Sequence, residues 1–277
     1  MITSTTLDDL KSRFCASDRM PLVFLGHGSP MNAVEDGPYS RAWRDLGRTL
    51  PKPQVILVVS AHWMTRGTTL VDVSAMPKTI QDFYGFPDSL YDIQYPAPGA
   101  PDLARDVAAL LASHHGAEDD TWGLDHGAWT VLKFLYPDAD VPVFQVSIDM
   151  ARGLEYQLDI GKTLSQLRNQ GVLILGSGNV VHNLQRIRWG AGSQPHDFAL
   201  EFDQVFADRL TQRDMAHLAD PTALGALLQS AHPTVDHYMP ALTIAGASDT
   251  RDDLTFMTDA IDLGSVSMRS FVFHSSE

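Results

Sequence analysis

The stretch "QVILVVSAHW", residues 54–63, decides the fold and poses the functional question together. Val55 to Val59 are five consecutive apolar residues, a run that predicts a strand buried on both faces. A serine and an alanine follow, and then His62 and Trp63. Upstream, "PLVFLGHGSP" (residues 21–30) repeats the pattern, with Leu22 to Leu25 apolar and then Gly26, His27 and Gly28. Two buried strands each deliver an imidazole at the carboxyl end, where ligands collect in open α/β sheets.

Working outward, short apolar runs alternate with helical patterns. Strands are expected at Leu22–Leu25, Val55–Ser60, Thr69–Val73, Val141–Ile148, Val172–Gly176 and Val266–Phe273. Helices are expected at Arg41–Thr49, Pro101–His115, Gly127–Leu135, Leu154–Asn169, Asp197–Gln212 and Val235–Ala247. That alternation predicts a single α/β domain with a central, largely parallel sheet flanked by helices. Residues 1–20 are polar and read as a tail or short helix, which leaves 21–277 as the one folded domain. "MPKTIQDFYGFPDSLYDIQYPAPGAP" (76–101) is aperiodic, rich in Pro, Gly and aromatics, and long enough to be a lid or binding loop.

The whole chain sets bounds on function. Its 277 residues carry 34 Asp and Glu against 20 Lys and Arg, a net charge of −14 that repels phosphate backbones and disfavours nucleic acid. A single cysteine, Cys15, excludes an intrachain disulfide framework. The first 20 residues lack the apolar segment of a signal peptide, and no run approaches the roughly 18 apolar residues of a membrane span. The expectation is a cytoplasmic protein without membrane partners; oligomeric state is not legible.

Further histidines follow the pattern of the first two. "VLILGSGN" (172–179) ends a third apolar run in a glycine turn, and His182 follows in "VVHNL". His126 stands between Asp125 and Gly127 at a helix start in "WGLDHGAW", and "HPTVDHYMP" holds His232 and His237. Any one of them can be a hydrogen-bonded structural residue. His27 and His62 together, flanked by small residues, equally suit a site for Zn, Fe, Ni or Cu. Asp125 and Asp236 adjoin candidate histidines, and helix capping is their simpler role. "GSGN" is not a dinucleotide fingerprint, "LGHGSP" is not a hydrolase nucleophile elbow, and no H-E-x-x-H is present.

Six segments in order, "FLGHGSPMNAVED", "VVSAHWMTRG", "YPAPGAP", "WGLDHGAW", "SGNVVHNL" and "HPTVDHYMP", closely resemble the DOPA-dioxygenase branch of the class III extradiol ring-cleaving dioxygenases. The resemblance spans about Pro21 to Phe273. It implies an α/β fold with a metal at the strand ends and O2-dependent opening of a small aromatic diol, a catechol. It makes His27 and His62 metal ligands, His182 the catalytic acid/base, and His126 a substrate-contacting active-site residue. Where related protocatechuate enzymes place a glutamate, the matching third ligand here is His237. Three imidazoles suit Zn(II) at least as well as Fe(II). Iron is therefore expected for turnover and zinc in a purified sample, with His182 able to serve as a fourth ligand. The aromatic loop Phe83–Tyr95 is expected to wall the pocket and stack on the substrate ring. Arg66 and Lys78 are both candidates to meet a substrate carboxylate. A zinc-dependent hydrolase and a non-catalytic metal-binding protein of Memo type are the competing classes.

Overall fold

Six strands build the central sheet of the structure, a computed structural model that describes residues 19–190 and 192–275. In chain order they are β1 (Leu22–Gly26), β2 (Val55–Ser60), β3 (Val143–Gln145), β4 (Val172–Gly178), β5 (Asp252–Thr258) and β6 (Ser270–Ser275). Their order across the sheet is β3-β2-β4-β1-β6-β5. The first four run parallel, and β6 and β5 close one edge antiparallel. The α-helices longer than one turn are α1 (Pro38–Thr49), α2 (Pro101–Leu110), α3 (His126–Leu135), α4 (Leu154–Leu164), α5 (Asp197–Thr211), α6 (Pro221–Ala231) and α7 (Met239–Ala247). The chain is thus a single α/β domain with a mostly parallel sheet between helices. No helix among the described residues is long and apolar enough to cross a membrane.

The continuous apolar runs are explained by the layers they feed. Alternate residues of one strand point into opposite cores. Leu22, Phe24, Leu57, Val59 and Ile174 pack with residues of α2, α4, α5, α6 and α7. Val23, Leu25, Ile56, Val58, Leu173 and Leu175 pack with Trp43 and Leu46 of α1 and with Trp129, Val131 and Leu132 of α3. A strand covered on both faces has no use for polar alternation.

Register places the strand ends side by side. Gly26 of β1 pairs with Gly178, and Ser60 of β2 pairs with Ser177, so β1 and β2 flank β4 and stop at the same level. The backbone continues the pattern one step: His27 N–H donates to Gly178 O and Ala61 N–H to Ser177 O. His27 and His62 therefore emerge on either side of β4 at one edge of the sheet.

Several expected boundaries move. The run 141–148 is not one strand: it stops at Gln145, and after Val146 and Ser147 bond to Val58 and Leu70, Ile148–Asp149 pairs with Met64–Thr65. The run 266–273 also divides, because Val266–Ser267 pairs with Ile261–Asp262 before β6 begins at Ser270. The last helix starts at Met239 instead of Val235, with Pro240 in its first turn where the missing N–H costs no bond. Residues 232–238 form the lead-in, and they carry His237. Strand β5 and helix α6 were not anticipated; β5 is an edge strand whose sequence, "DDLTFMT", lacks a clean apolar period. Of the expected tail or short helix at 1–20, residues 1–18 lie outside the described residues.

Candidate metal centre

Three imidazoles meet at the carboxyl edge of the sheet. His27, His62 and His237 offer ring nitrogens that all lie within 4.8 Å of one another. His27 extends β1, His62 follows β2 by two residues, and His237 enters from the lead-in to α7. That third approach depends on glycine. A Cβ on Gly178 would sit 2.3 Å from the His237 carbonyl oxygen, and the Asn179 N–H donates to that same oxygen at 2.9 Å. The "GSG" of β4 lets the His237 backbone close onto the strand.

Hydrogen bonds fix which nitrogen is free in two of the three rings, and a nearby carboxylate biases the third. Ser177 Oγ donates to the Gly127 carbonyl at 2.6 Å, so it accepts from His27 Nδ1–H at 2.9 Å. His237 Nδ1 bonds the Asp236 carboxylate, and His62 Nδ1 lies 3.4 Å from Asp82 Oδ2. In His27 and His237 the Nδ1–H is given to a protein acceptor and Nε2 keeps its lone pair, and the carboxylate near His62 Nδ1 favours the same proton position in that ring. The Nε2 atoms of His27 and His62 lie 3.2 Å apart. With both as acceptors that contact is no hydrogen bond; two lone pairs facing each other call for a cation. The donor set fits a divalent transition metal held by neutral imidazoles.

Electrostatics keep the rings neutral. Burial, reinforced by the neighbouring imidazoles, drives His27 and His237 well below the ordinary histidine value. Burial, aided by His126, lowers His62 to about 3, and burial takes His182 to about 4. A ring that resists protonation keeps its lone pair for a metal at neutral pH.

His126 and His182 flank the trio. The His182 ring stacks on His237 with centroids 3.5 Å apart and planes 9° from parallel. The His126 ring lies 3.9 Å from that of His62, at the first residue of α3. Asp125 caps that helix, accepting from Ala128 N–H, from Ser60 Oγ at 2.6 Å, from Trp122 Nε1 and from Gln145 Nε2. Burial, together with the charge of Asp82, pushes its carboxyl upward. Gly127 is required here too, since a Cβ would stand 2.4 Å from Ser60 Oγ and 2.8 Å from His62 Cδ2. The five histidines named from the sequence converge on one site. His232 does not join them: its Nε2–H donates to the Val180 carbonyl at 2.7 Å, a structural role.

Three residues of the site were not singled out in the sequence. Ser177 lay inside "GSG", Ser60 ended a strand, and Asp82 lay in the long aperiodic loop; none carried a pattern of its own. The loop's aromatics also differ from expectation. Phe83 packs edge-on against His126 and near Trp129, and the Tyr95 hydroxyl donates to the Tyr136 carbonyl. Both are buried, Phe83 against a site histidine and Tyr95 at the far end of α3. Beside the trio, a cleft of about 430 Å³ is lined by Met64, Thr65, Arg66, Met150, Thr234 and Asp236. It contains Arg66 and not Lys78.

Comparison with known proteins agrees with this geometry. The family described as "Catalytic LigB subunit of aromatic ring-opening dioxygenase" matches residues 21–266. The chain is 44% identical over 268 residues to "4,5-DOPA dioxygenase extradiol" of Escherichia coli K12, covering 94% of this chain and 97% of that protein. It is 34% identical to the Beta vulgaris protein of the same name, covering 91% and 96%. Among solved structures, an uncharacterized Escherichia coli K12 protein superposes with a TM-score of 0.80 at 40% identity, over 92% of this chain and 99% of that one.

Proposed function

The chain belongs to the LigB family of extradiol, aromatic ring-opening dioxygenases, and from that premise we propose that its substrate is a catechol with a DOPA-like side chain, opened at one divalent metal held by His27, His62 and His237. The family's enzymes use a metal, an aromatic substrate and O2. The observation that carries the ligand assignment is the set of three imidazoles whose ring nitrogens lie within 4.8 Å of one another, with the Nε2 atoms of His27 and His62 3.2 Å apart. Fe(II) is the ion for turnover, and Zn(II) the ion retained through purification. When bound, the metal acidifies the catechol hydroxyls and brings both reactants to one place, replacing a termolecular encounter with an oriented one.

The protein's own groups do the rest. His182, neutral because it is buried, is ready to take a proton from the second hydroxyl and return it as the ring opens. His126, held at the start of α3, hydrogen-bonds and orients the ring oxygens. Phe83 keeps water away from the rear of His126. Arg66 makes no hydrogen bond or ion pair among the described residues, and it shares the cleft with Asp236, which itself contacts His237. A carboxylate on the substrate's side chain would find its counter-charge there. Residues 21–277 act as one catalytic domain, in the cytoplasm, with no role for nucleic acid.

Anaerobic loading with Fe(II), followed by oxygen uptake on addition of DOPA, tests the reading. Stoichiometric uptake with a yellow semialdehyde product is expected. A fully loaded protein that consumes no oxygen with any catechol overturns it, and metal-dependent ester or amide cleavage by the same sample would mark a zinc hydrolase instead.

A further inference from the structure

One carboxylate touches two of the five site histidines, and it comes from the long loop. Asp82 Oδ1 accepts from the His126 backbone N–H at 2.8 Å and lies 3.0 Å from His126 Nδ1, off the line of a hydrogen bond. Its other oxygen lies 3.4 Å from His62 Nδ1. His62, Asp82 and His126 bring their polar atoms within 4.8 Å of one another, and His62 also belongs to the metal trio. The loop is anchored on both sides of Asp82. Ile80 N–H donates to Leu124 O at 2.7 Å, its carbonyl accepts from Trp129 Nε1 at 2.8 Å, and Gln81 Nε2 donates to Ile93 O at 2.8 Å. Phe83 packs on Trp129 and His126. A carboxylate pinned in this way is preset against the rings.

We propose that Asp82 is a positioning residue that ties the 76–101 loop to the metal centre, locking the tautomer and orientation of His62 while it seats His126. A carboxylate 3.4 Å from His62 Nδ1 favours the proton on that nitrogen, which leaves the Nε2 lone pair free and makes the imidazole a stronger donor. The same carboxylate holds the first backbone N–H of α3, so the ring beside the substrate is fixed relative to the ring on the metal. The loop's contribution to the site is then a charge at its inner turn, and its aromatics serve to hold that charge in place. The inference rests on the reading of His62 as a ligand.

The test uses Co(II) as probe with the purified full chain and its Asp82→Ala, Asp82→Asn and His62→Ala variants. Affinity is measured by competition with a chromophoric chelator, alongside the visible spectrum of the Co(II) form and the unfolding midpoint of the metal-free protein. Loss of an outer carboxylate on a ligating histidine typically weakens metal binding about 10–100-fold. Asp82→Ala is expected in that range with an altered Co(II) spectrum, and Asp82→Asn, which keeps an acceptor for the His126 N–H, about 10-fold weaker. Should Asp82→Ala fail to fold, the near-isosteric Asn variant decides. Wild-type affinity and spectrum in the Asn variant, or in a folded Ala variant, overturn the proposal. If His62→Ala itself binds Co(II) normally, the ligand reading fails instead, and the two failures are distinct.

Discussion

The two ends of strands β1 and β4 bury polar groups in opposite ways. At the amino end, Arg168 is fully buried, and its guanidinium meets Asp252 through two bonds of 2.7 Å while Nε–H donates to the Met20 carbonyl. Arg19 adds a second cation to Asp252 at 3.2 Å. Every charge there has its answer inside the chain. At the carboxyl end, His27 and His237 spend their Nδ1 protons on protein acceptors, His62 Nδ1 lies beside a carboxylate, and the Nε2 atoms of His27 and His62 face each other. Both clusters are buried and conserve their hydrogen bonds, so burial alone does not mark function. What separates them is the unanswered remainder: the first cluster is closed, and the second is completed only by something from outside.

Substitution should split the two ends most sharply. His27→Ala is expected to remove metal binding almost entirely while the metal-free protein still folds cooperatively. Arg168→Ala should do the reverse, costing roughly 3–5 kcal/mol because Asp252 is left buried without its bidentate partner. Metal content and denaturant midpoints on both variants check this; full metal occupancy in His27→Ala would sink the assignment of the trio.

Within the carboxyl end, His182 should behave differently from the rings beside it. His182→Ala is expected to keep its metal and lose about 10²–10⁴-fold in kcat, the usual contribution of a general acid/base. Single-turnover rates and metal analysis on one preparation decide. Metal loss would make His182 a fourth ligand, and full activity would reduce it to packing on His237.

Arg66 lies farther out, and a smaller effect is expected. Arg66→Ala should raise KM for DOPA about 10-fold, in line with losing a charge-assisted bond of roughly 1.5 kcal/mol, and leave KM for 4-methylcatechol unchanged. Equal changes for both substrates would remove Arg66 from substrate recognition.

Acid provides the gentlest probe. His62 sits at about 3, and His182 and His232 at about 4, against an ordinary value of 6.5. Below pH 6.5 the unfolded chain takes up protons that the folded chain refuses. The stability these rings contribute is complete above that pH and is lost as pH falls toward 4. Each ring removes about 1.4 kcal/mol per pH unit in that window. Urea midpoints of the metal-free protein at pH 7.0, 5.5 and 4.5 should fall steadily, and a flat profile would contradict the neutral-ring picture.

Much of this protein is legible in its sequence. The apolar runs of β1, β2 and β4 gave both the parallel sheet and the edge at which ligands gather, because a strand covered on two faces has a simple signature. His27 and His62 were visible since each lies within two residues of such a run. His126, His182 and His237 stand out by their place at helix starts or past a glycine turn, and only the resemblance to the ring-cleaving family implies their roles. Edge strand β5 escaped because its partly exposed residues mix polar and apolar types without a clear period. Tertiary structure alone decided three things: that Ser177 and Asp236 take Nδ1 protons while Asp82 lies beside His62 Nδ1, that Arg66 and not Lys78 lines the cleft, and that Phe83 backs His126. The reason is physical. Periodicity reports which face of an element is buried, whereas the tautomer of a ring is set by an acceptor that may lie 150 residues away in the chain, as Ser177 does from His27.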